Sequence, residues 1–165
     1  ASPAHDAAAH IVGYDGELQQ ALLYLDAWVA RGSRPPATTG YHVDSDSQVR
    51  LAPTAARRHG LQPVATLRVR PGAHPAGRPV TFSLRAQVPP GTGKIVRVEW
   101  DFQGTGTFTA APPPNRPAIH RRTTHTFTKP GTYHTVARVT AQHNGDPHSP
   151  YGLIQNLAAV RVTVR

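Results

Sequence analysis

From residue 64 onward the chain alternates apolar and polar side chains with a period of two. Ala65, Leu67 and Val69 alternate with Thr66, Arg68 and Arg70, and Val80, Phe82, Leu84, Ala86 and Val88 alternate with Thr81, Ser83, Arg85 and Gln87. Val96, Val98, Trp100 and Phe102 form a third inward set, Tyr133, Thr135, Ala137 and Val139 a fourth, and Val160, Val162 and Val164 close the chain. Half-buried antiparallel strands require this pattern, because successive side chains leave a strand on opposite faces. Turn formers separate the runs: Pro71-Gly72, Pro89-Pro90-Gly91, Gln103-Gly104-Thr105-Gly106, Pro130-Gly131 and Asn144-Gly145-Asp146-Pro147. Many short strands at such spacing predict a mainly β, antiparallel sandwich or barrel.

Ahead of the strands the period changes. In residues 14–30, Leu18, Ala21, Leu22, Leu25, Trp28 and Val29 recur at three- and four-residue spacing, which predicts a helix with one apolar stripe. Asp15 and Glu17 suit its first turn and Arg31 its last, Gly32 is a C-cap and Pro35-Pro36 blocks continuation. The stripe is too apolar to face water in a stable monomer. Leu18, Leu22, Leu25, Trp28 and Val29 are therefore a candidate packing interface, expected to be covered, with Leu25 and Trp28 the most buried. Residues 31–63 read as connecting chain. YHVDSDSQVRL holds one or two short strands, and PTAARRHGLQP a helical turn with Thr54 as N-cap and Gly60 as stop. The expected organisation is a helical segment (1–36), a linker with a short helical turn (37–63) and a β-sandwich (64–165).

Two separated motifs carry a family resemblance. VRVEWDFQGTGTFT, then THTFTKPGTYHTVARVT, then a final VRVTV strand resemble the polycystic kidney disease (PKD) repeat. That repeat has a W-D-F-G-D-G-like strand end followed by an H-x-[FY]-x-x-[PA]-G-x-Y turn. The matching positions are Trp100, Asp101, Phe102, His125, Phe127, Pro130, Gly131 and Tyr133. The resemblance implies an immunoglobulin-like sandwich in which Trp100 fills the space between sheets and Tyr133 ties a corner to the backbone. Pro130-Gly131 is expected to turn through a positive φ. These roles are structural. After Phe102 the family's Gly-Asp-Gly becomes Gln103-Gly104-Thr105-Gly106, which leaves only Glu99 and Asp101 nearby and too few oxygen ligands for calcium. AAPPPNRPAIHRR is longer than usual and reads as an extended surface loop.

A second, shorter resemblance covers about 25 residues. ALLYLDAWVARGSRPPATTGY looks like the last helix and exit segment of tannase/feruloyl-esterase-like α/β-hydrolases, with Asp26, Gly32 and Pro35-Pro36 on the pattern and Ala27 inserted before Trp28. It implies a parent hydrolase whose nucleophile lies upstream.

Composition narrows the function classes. The net charge of +9 is unevenly spread: residues 1–46 carry six acids against Arg31 and Arg34, a balance of −4, and residues 47–165 carry +13. The basic part suits an acidic polysaccharide, with nucleic acid the less favoured partner; sixteen of the eighteen bases are arginine. Cysteine is absent, which excludes disulfides and thiolate metal sites but leaves the compartment open. Methionine is absent even at position 1, so the chain reads as a processed or excised piece with any export signal upstream.

Catalytic chemistry is not encoded. There is no G-x-S-x-G elbow and no H-E-x-x-H pair. VPPGTGKI (88–95) imitates a phosphate loop, but Val88 and Ile95 replace its first glycine and its hydroxyl, and a strand follows. His120, His125 and His134 could approach one another across strands, yet no carboxylate spacing supports zinc. His5 and His10 precede the helix without a motif around them. The expectation is a non-catalytic accessory module, for binding or spacing, at an extracellular or cell-surface location. It has no cofactor, no metal and no membrane span. Its partners are an upstream domain of the same parent and a polysaccharide or another protein. The rivals are an integral lobe of a secreted esterase and an arginine-rich polysaccharide- or nucleic-acid-binding domain.

Overall fold

The computed structural model describes residues 7–165, so His5 lies outside the described residues. Helix α1 spans Asp15–Arg31. Strands β1 (Tyr41–Val43) and β2 (Val49–Leu51) form a hairpin, and α2 (Ala55–Arg58) is one helical turn. Seven strands follow: β3 (Val64–Val69), β4 (Pro79–Gln87), β5 (Lys94–Asp101), β6 (Thr109–Ala111), β7 (Ala118–Thr126), β8 (Gly131–Gln142) and β9 (Ile154–Val164).

These seven strands make two antiparallel sheets, ordered β3-β4-β7 and β6-β5-β8-β9. The chain changes sheet between β4 and β5, between β6 and β7, and again before β8, so the two inner faces share one core. Phe82, Leu84, Ile95, Val98, Ala137 and Val139 are fully enclosed there. The architecture is an immunoglobulin-like sandwich, as the period-two runs require.

Three local features depart from the simple pattern. The β5–β8 ladder shifts register between Ile95 and Arg97, so Ile95 joins the core cluster while Val96, also buried, stands outside it. A bulge places two residues opposite one and breaks the alternation locally. The second half of the expected surface loop is instead strand β7, which pairs with β4 from Ala118 to Thr126. Its inward set is Ile119, Arg121, Thr123 and His125, too polar to announce a strand, because β7 is an edge strand over the open side of the core. Finally, α2 ends at His59 (φ 57°), one residue before Gly60, and Thr54 contributes its backbone carbonyl, not its side chain, to the cap.

Helix α1 stops at Gly32, which takes the left-handed conformation (φ 68°) and donates its N–H to the Trp28 carbonyl. Its seating on the sandwich is the reverse of the expectation. The residues it buries are Gly16 and Gln20. The apolar stripe faces outward, with Leu18 54%, Leu22 57%, Leu25 51%, Trp28 51% and Val29 81% exposed. Backbone proximity explains this: a Cβ at Gly16 would lie 2.0 Å from the Leu153 carbonyl oxygen, so only glycine lets the helix approach the chain leading into β9. Polar contacts then fix that face. Gln19 Oε1 accepts the Gly152 N–H at 2.8 Å, and the Tyr24 hydroxyl is hydrogen-bonded to His143 Nδ1 at 3.0 Å.

Candidate functional site

Trp100, Phe102, His125, Phe127 and Tyr133 of the two motifs form one connected row of rings. Trp100, on β5, is buried and stacks on Phe102 with centroids 5.6 Å apart and planes within 3°. Phe102 stacks on His125 at 4.2 Å, and His125 meets Phe127 edge-on at 4.7 Å. Phe127 then stacks on Tyr133 at 4.2 Å. Phe82 of β4, the strand paired with β7, braces the middle of this row, meeting both Phe102 and Phe127. Offset and edge-on aromatic pairs each add roughly 0.5–1.5 kcal/mol beyond area burial. The imidazole of His125 is part of the stack, and burial holds its pKa below the ordinary 6.5.

Asp101 is enclosed, and its carboxylate is spent on the turn that follows. Oδ1 accepts the N–H groups of Gln103 (3.2 Å) and Gly104 (2.8 Å), and Oδ2 that of Gly106 (2.7 Å). Gly104 has a positive φ (72°) and its missing Cβ would meet the His134 carbonyl oxygen at 2.5 Å, so this turn presses directly on β8. Thr135 Oγ1 donates to the Phe102 carbonyl at 2.9 Å and closes the same junction. The Tyr133 hydroxyl donates to the Lys129 carbonyl at 2.9 Å, which ties the β7–β8 corner to the strand that follows it. Pro130 is exposed in that corner. Gly131 takes a positive φ (155°), as expected of the Pro130-Gly131 corner, and already pairs with Val164 as the first residue of β8.

This framework decides the family. The PKD domain family model matches residues 64–146, half of the chain. The chain belongs to the PKD domain family. A solved structure described as the PKD domain of an M14-like peptidase from Thermoplasmatales archaeon SCGC AB-540-F20 is similar at 17% identity, over 64% of this chain and 98% of that one, with a TM-score of 0.48. No curated protein matches the chain. PKD domains are generally non-catalytic accessory modules of larger proteins and occur in extracellular or surface proteins.

In this PKD domain the three histidines considered for a metal are dispersed. His125 lies in the aromatic stack, while His120 is on the outer face of β7, bonded to Ser83 Oγ at 2.9 Å, and His134 is exposed on β8. Among the described residues no group of three or more His, Asp or Glu side chains could hold a metal ion. No helix among them is long and apolar enough to cross a membrane. The phosphate-loop look-alike is a tight turn into β5, where Thr92 Oγ1 donates to the Pro89 carbonyl at 2.7 Å. A Cβ at Gly93 there would lie 2.4 Å from the Gln142 carbonyl oxygen. Its glycine serves close backbone packing.

The features best suited to bind something lie outside the core. One is an apolar groove of about 760 Å³ between α1 and the linker, bordered by Leu18, Leu25, Trp28, Pro35 and Leu61. Glu17 stands at its edge with Oε2 shielded from solvent and without a hydrogen-bond partner, and desolvation raises its pKa. The hairpin adds a second apolar face. Tyr41 is paired with Leu51 and Val43 with Val49, and all four side chains are exposed. Asp44 holds the hairpin together by accepting the Gln48 N–H (2.9 Å) and Arg50 Nε (2.6 Å), and these bonds lower its pKa. The other feature is the outer face of the β3-β4-β7 sheet, which the alternation alone could not assemble because it depends on register across three strands.

Proposed function

We propose that this chain is a non-catalytic accessory module of a larger extracellular or surface protein, in which residues 1–63 hold the PKD sandwich against another folded domain of the same parent. The observation that carries the reading is the orientation of α1. Its polar, glycine-containing face is fixed to the sandwich, so the helix does not need its leucines to stay in place. The stripe and the hairpin face are left as apolar surface that no described residue covers.

Magnitudes favour a domain as the cover. Nine half-exposed apolar side chains offer roughly 100 Å² each, on the order of 900 Å², which falls within the range of about 600–1,500 Å² for interdomain contacts. Covering a leucine-sized side chain fully is worth roughly 1.5–3 kcal/mol, so even half of that per residue outweighs the ordering of a short interface. The complementary surface would be apolar and would carry a lysine or arginine opposite Glu17, whose shielded carboxylate oxygen lacks a partner. PKD domains as accessory modules of larger proteins supply such a neighbour.

The test is a triple substitution, Leu18→Glu, Leu25→Glu and Val29→Glu, made in the isolated chain and in the full-length parent. The isolated chain should keep its melting temperature, because these side chains do not touch the core. In the parent, the module should come loose, seen as faster limited proteolysis between domains and a larger radius of gyration by X-ray scattering. A parent whose proteolysis and scattering are unchanged would contradict the proposal.

A further inference from the structure

The outer face of the β3-β4-β7 sheet collects cationic side chains that no described acid neutralises. Pairing sets Arg68 opposite Ser83 and Ser83 opposite Arg122 in one row across the sheet. The neighbouring row is Thr66, Arg85 and His120. Beyond the first row lie Arg70, Thr81 and Thr124, with the Arg70 N–H bonded to the Thr81 carbonyl. The side chains of Arg68, Arg70, Arg85 and Arg122 make no hydrogen bond or ion pair among the described residues. The described acids of the sandwich are engaged elsewhere. Glu99 is held bidentately by Arg138 on the other sheet, Asp101 caps its turn, and Asp146 accepts the His148 N–H.

The face is also concave. A cavity of about 680 Å³ lies over Thr66, Arg68, Ser83, Arg85, Gln87 and His120, walled at one end by Pro53, Thr54 and Ala55. A second, of about 520 Å³, continues over Arg68, Ser83 and Arg122 toward Arg70 and Thr81. Because Arg68, Ser83 and Arg122 border both, the two form one trough running along the strands. Strand geometry puts Arg68 and Arg122 about 10 Å apart across two strand spacings, and the three rows span about 14 Å. Four free guanidinium groups in such a trough present forked donors at the spacing of a repeating polyanion, not of a single small anion.

We propose that this trough binds an extended anionic glycan, with carboxylate or sulfate groups on the arginines and sugar hydroxyls on Thr66, Thr81, Ser83 and Gln87. The side-chain chemistry separates a glycan from a nucleic acid. Single-stranded nucleic acid is held by aromatic platforms on which bases stack, and the outer face of these strands carries no Phe, Tyr or Trp. Its neutral members are hydroxyls and an amide, which suit a hydroxylated chain.

The experiment uses the full chain with two probes of equal charge, a heparin-derived oligosaccharide and a single-stranded oligonucleotide. Affinity is measured by calorimetry at one fixed salt concentration. Arg68→Gln, Arg85→Gln and Arg122→Gln together should weaken heparin binding by roughly tenfold or more, the expected scale for removing several aligned charge contacts. A control removing three exposed arginines elsewhere, Arg78→Gln, Arg161→Gln and Arg165→Gln, loses the same net charge and should weaken it by less than about threefold. Wild-type protein titrated with the oligosaccharide should show amide shifts confined to residues 64–70, 81–87 and 118–124, a readout that does not depend on any variant folding. Equal weakening by both triple variants, shifts centred on β5 or β8, or tighter binding of the oligonucleotide than of the oligosaccharide would each overturn the proposal.

Discussion

Gly16→Ala is the smallest change that should separate α1 from the sandwich. A methyl group at this position would stand 2.0 Å from the Leu153 carbonyl oxygen and 2.5 Å from its carbon, so the helix must retreat by more than an ångström. That retreat breaks the bond from Gly152 N–H to Gln19 Oε1 and the one between Tyr24 and His143, and it opens the packing around buried Gln20. Two hydrogen bonds at about 1 kcal/mol each, plus lost contact, give a docking loss of about 2–3 kcal/mol, a shift of roughly 30- to 150-fold in the docked population. Glycine-to-alanine exchange raises intrinsic helix propensity by about 0.5–1 kcal/mol, so fraying of the helix itself would run the other way. The assay is amide hydrogen exchange with a thermal melt. Exchange across Asp15–Arg31 should accelerate while the β4, β5 and β8 amides and the main unfolding transition stay where they are. Wild-type exchange in α1 would refute the reasoning, and so would a collapse of the whole sandwich.

The core framework yields three further predictions. Trp100→Ala removes a buried ring stacked on Phe102 and should cost roughly 3–5 kcal/mol in urea unfolding; an unchanged midpoint would place Trp100 outside the core. Asp101→Asn keeps Oδ1 but turns an amide toward the Gly106 N–H, so it should cost about 2–3 kcal/mol, and neither calcium nor a chelator should alter the wild-type melt. Burial depresses the His125 pKa, so the unfolded chain takes up its proton more readily than the folded one. Its contribution to stability is complete above the unfolded value near 6.5 and is lost as pH falls toward and through the folded value. His125→Phe keeps the stack without the charge and should flatten the decline in melting temperature between about pH 7.5 and about pH 5; an unaltered slope would show that His125 does not contribute to it.

The sandwich was legible because its strands lie half-buried, and a half-buried strand writes its period into the sequence. β4 shows this most clearly, since Val80, Phe82, Leu84 and Ala86 all point where the alternation puts them. β7 was not legible: its inward positions include Arg121 and Thr123, which an edge strand over an open core tolerates. The motif residues were legible one by one, but their union into a continuous aromatic row, and the use of Asp101 as a cap, depended on which strands meet. The orientation of α1 misled for a physical reason. The apolar stripe dominates the helical pattern, whereas the docking face is defined by the absence of a Cβ at Gly16 and by two polar side chains. The arginine trough is distributed over three strands far apart in sequence, so composition announced its charge without its location.

Hydrogen exchange of α1 and the β1–β2 hairpin, measured in the isolated chain and again in the full-length parent, tests the central claim most directly. Amides of residues 15–31 and 41–51 should exchange at least about tenfold more slowly in the parent, because burial of the stripe and the hairpin face would add on the order of 1.4 kcal/mol or more to local opening. The β4, β5 and β8 amides should exchange alike in both. Equal rates for residues 15–31 and 41–51 in the two proteins would contradict the assignment of this surface to a neighbouring domain.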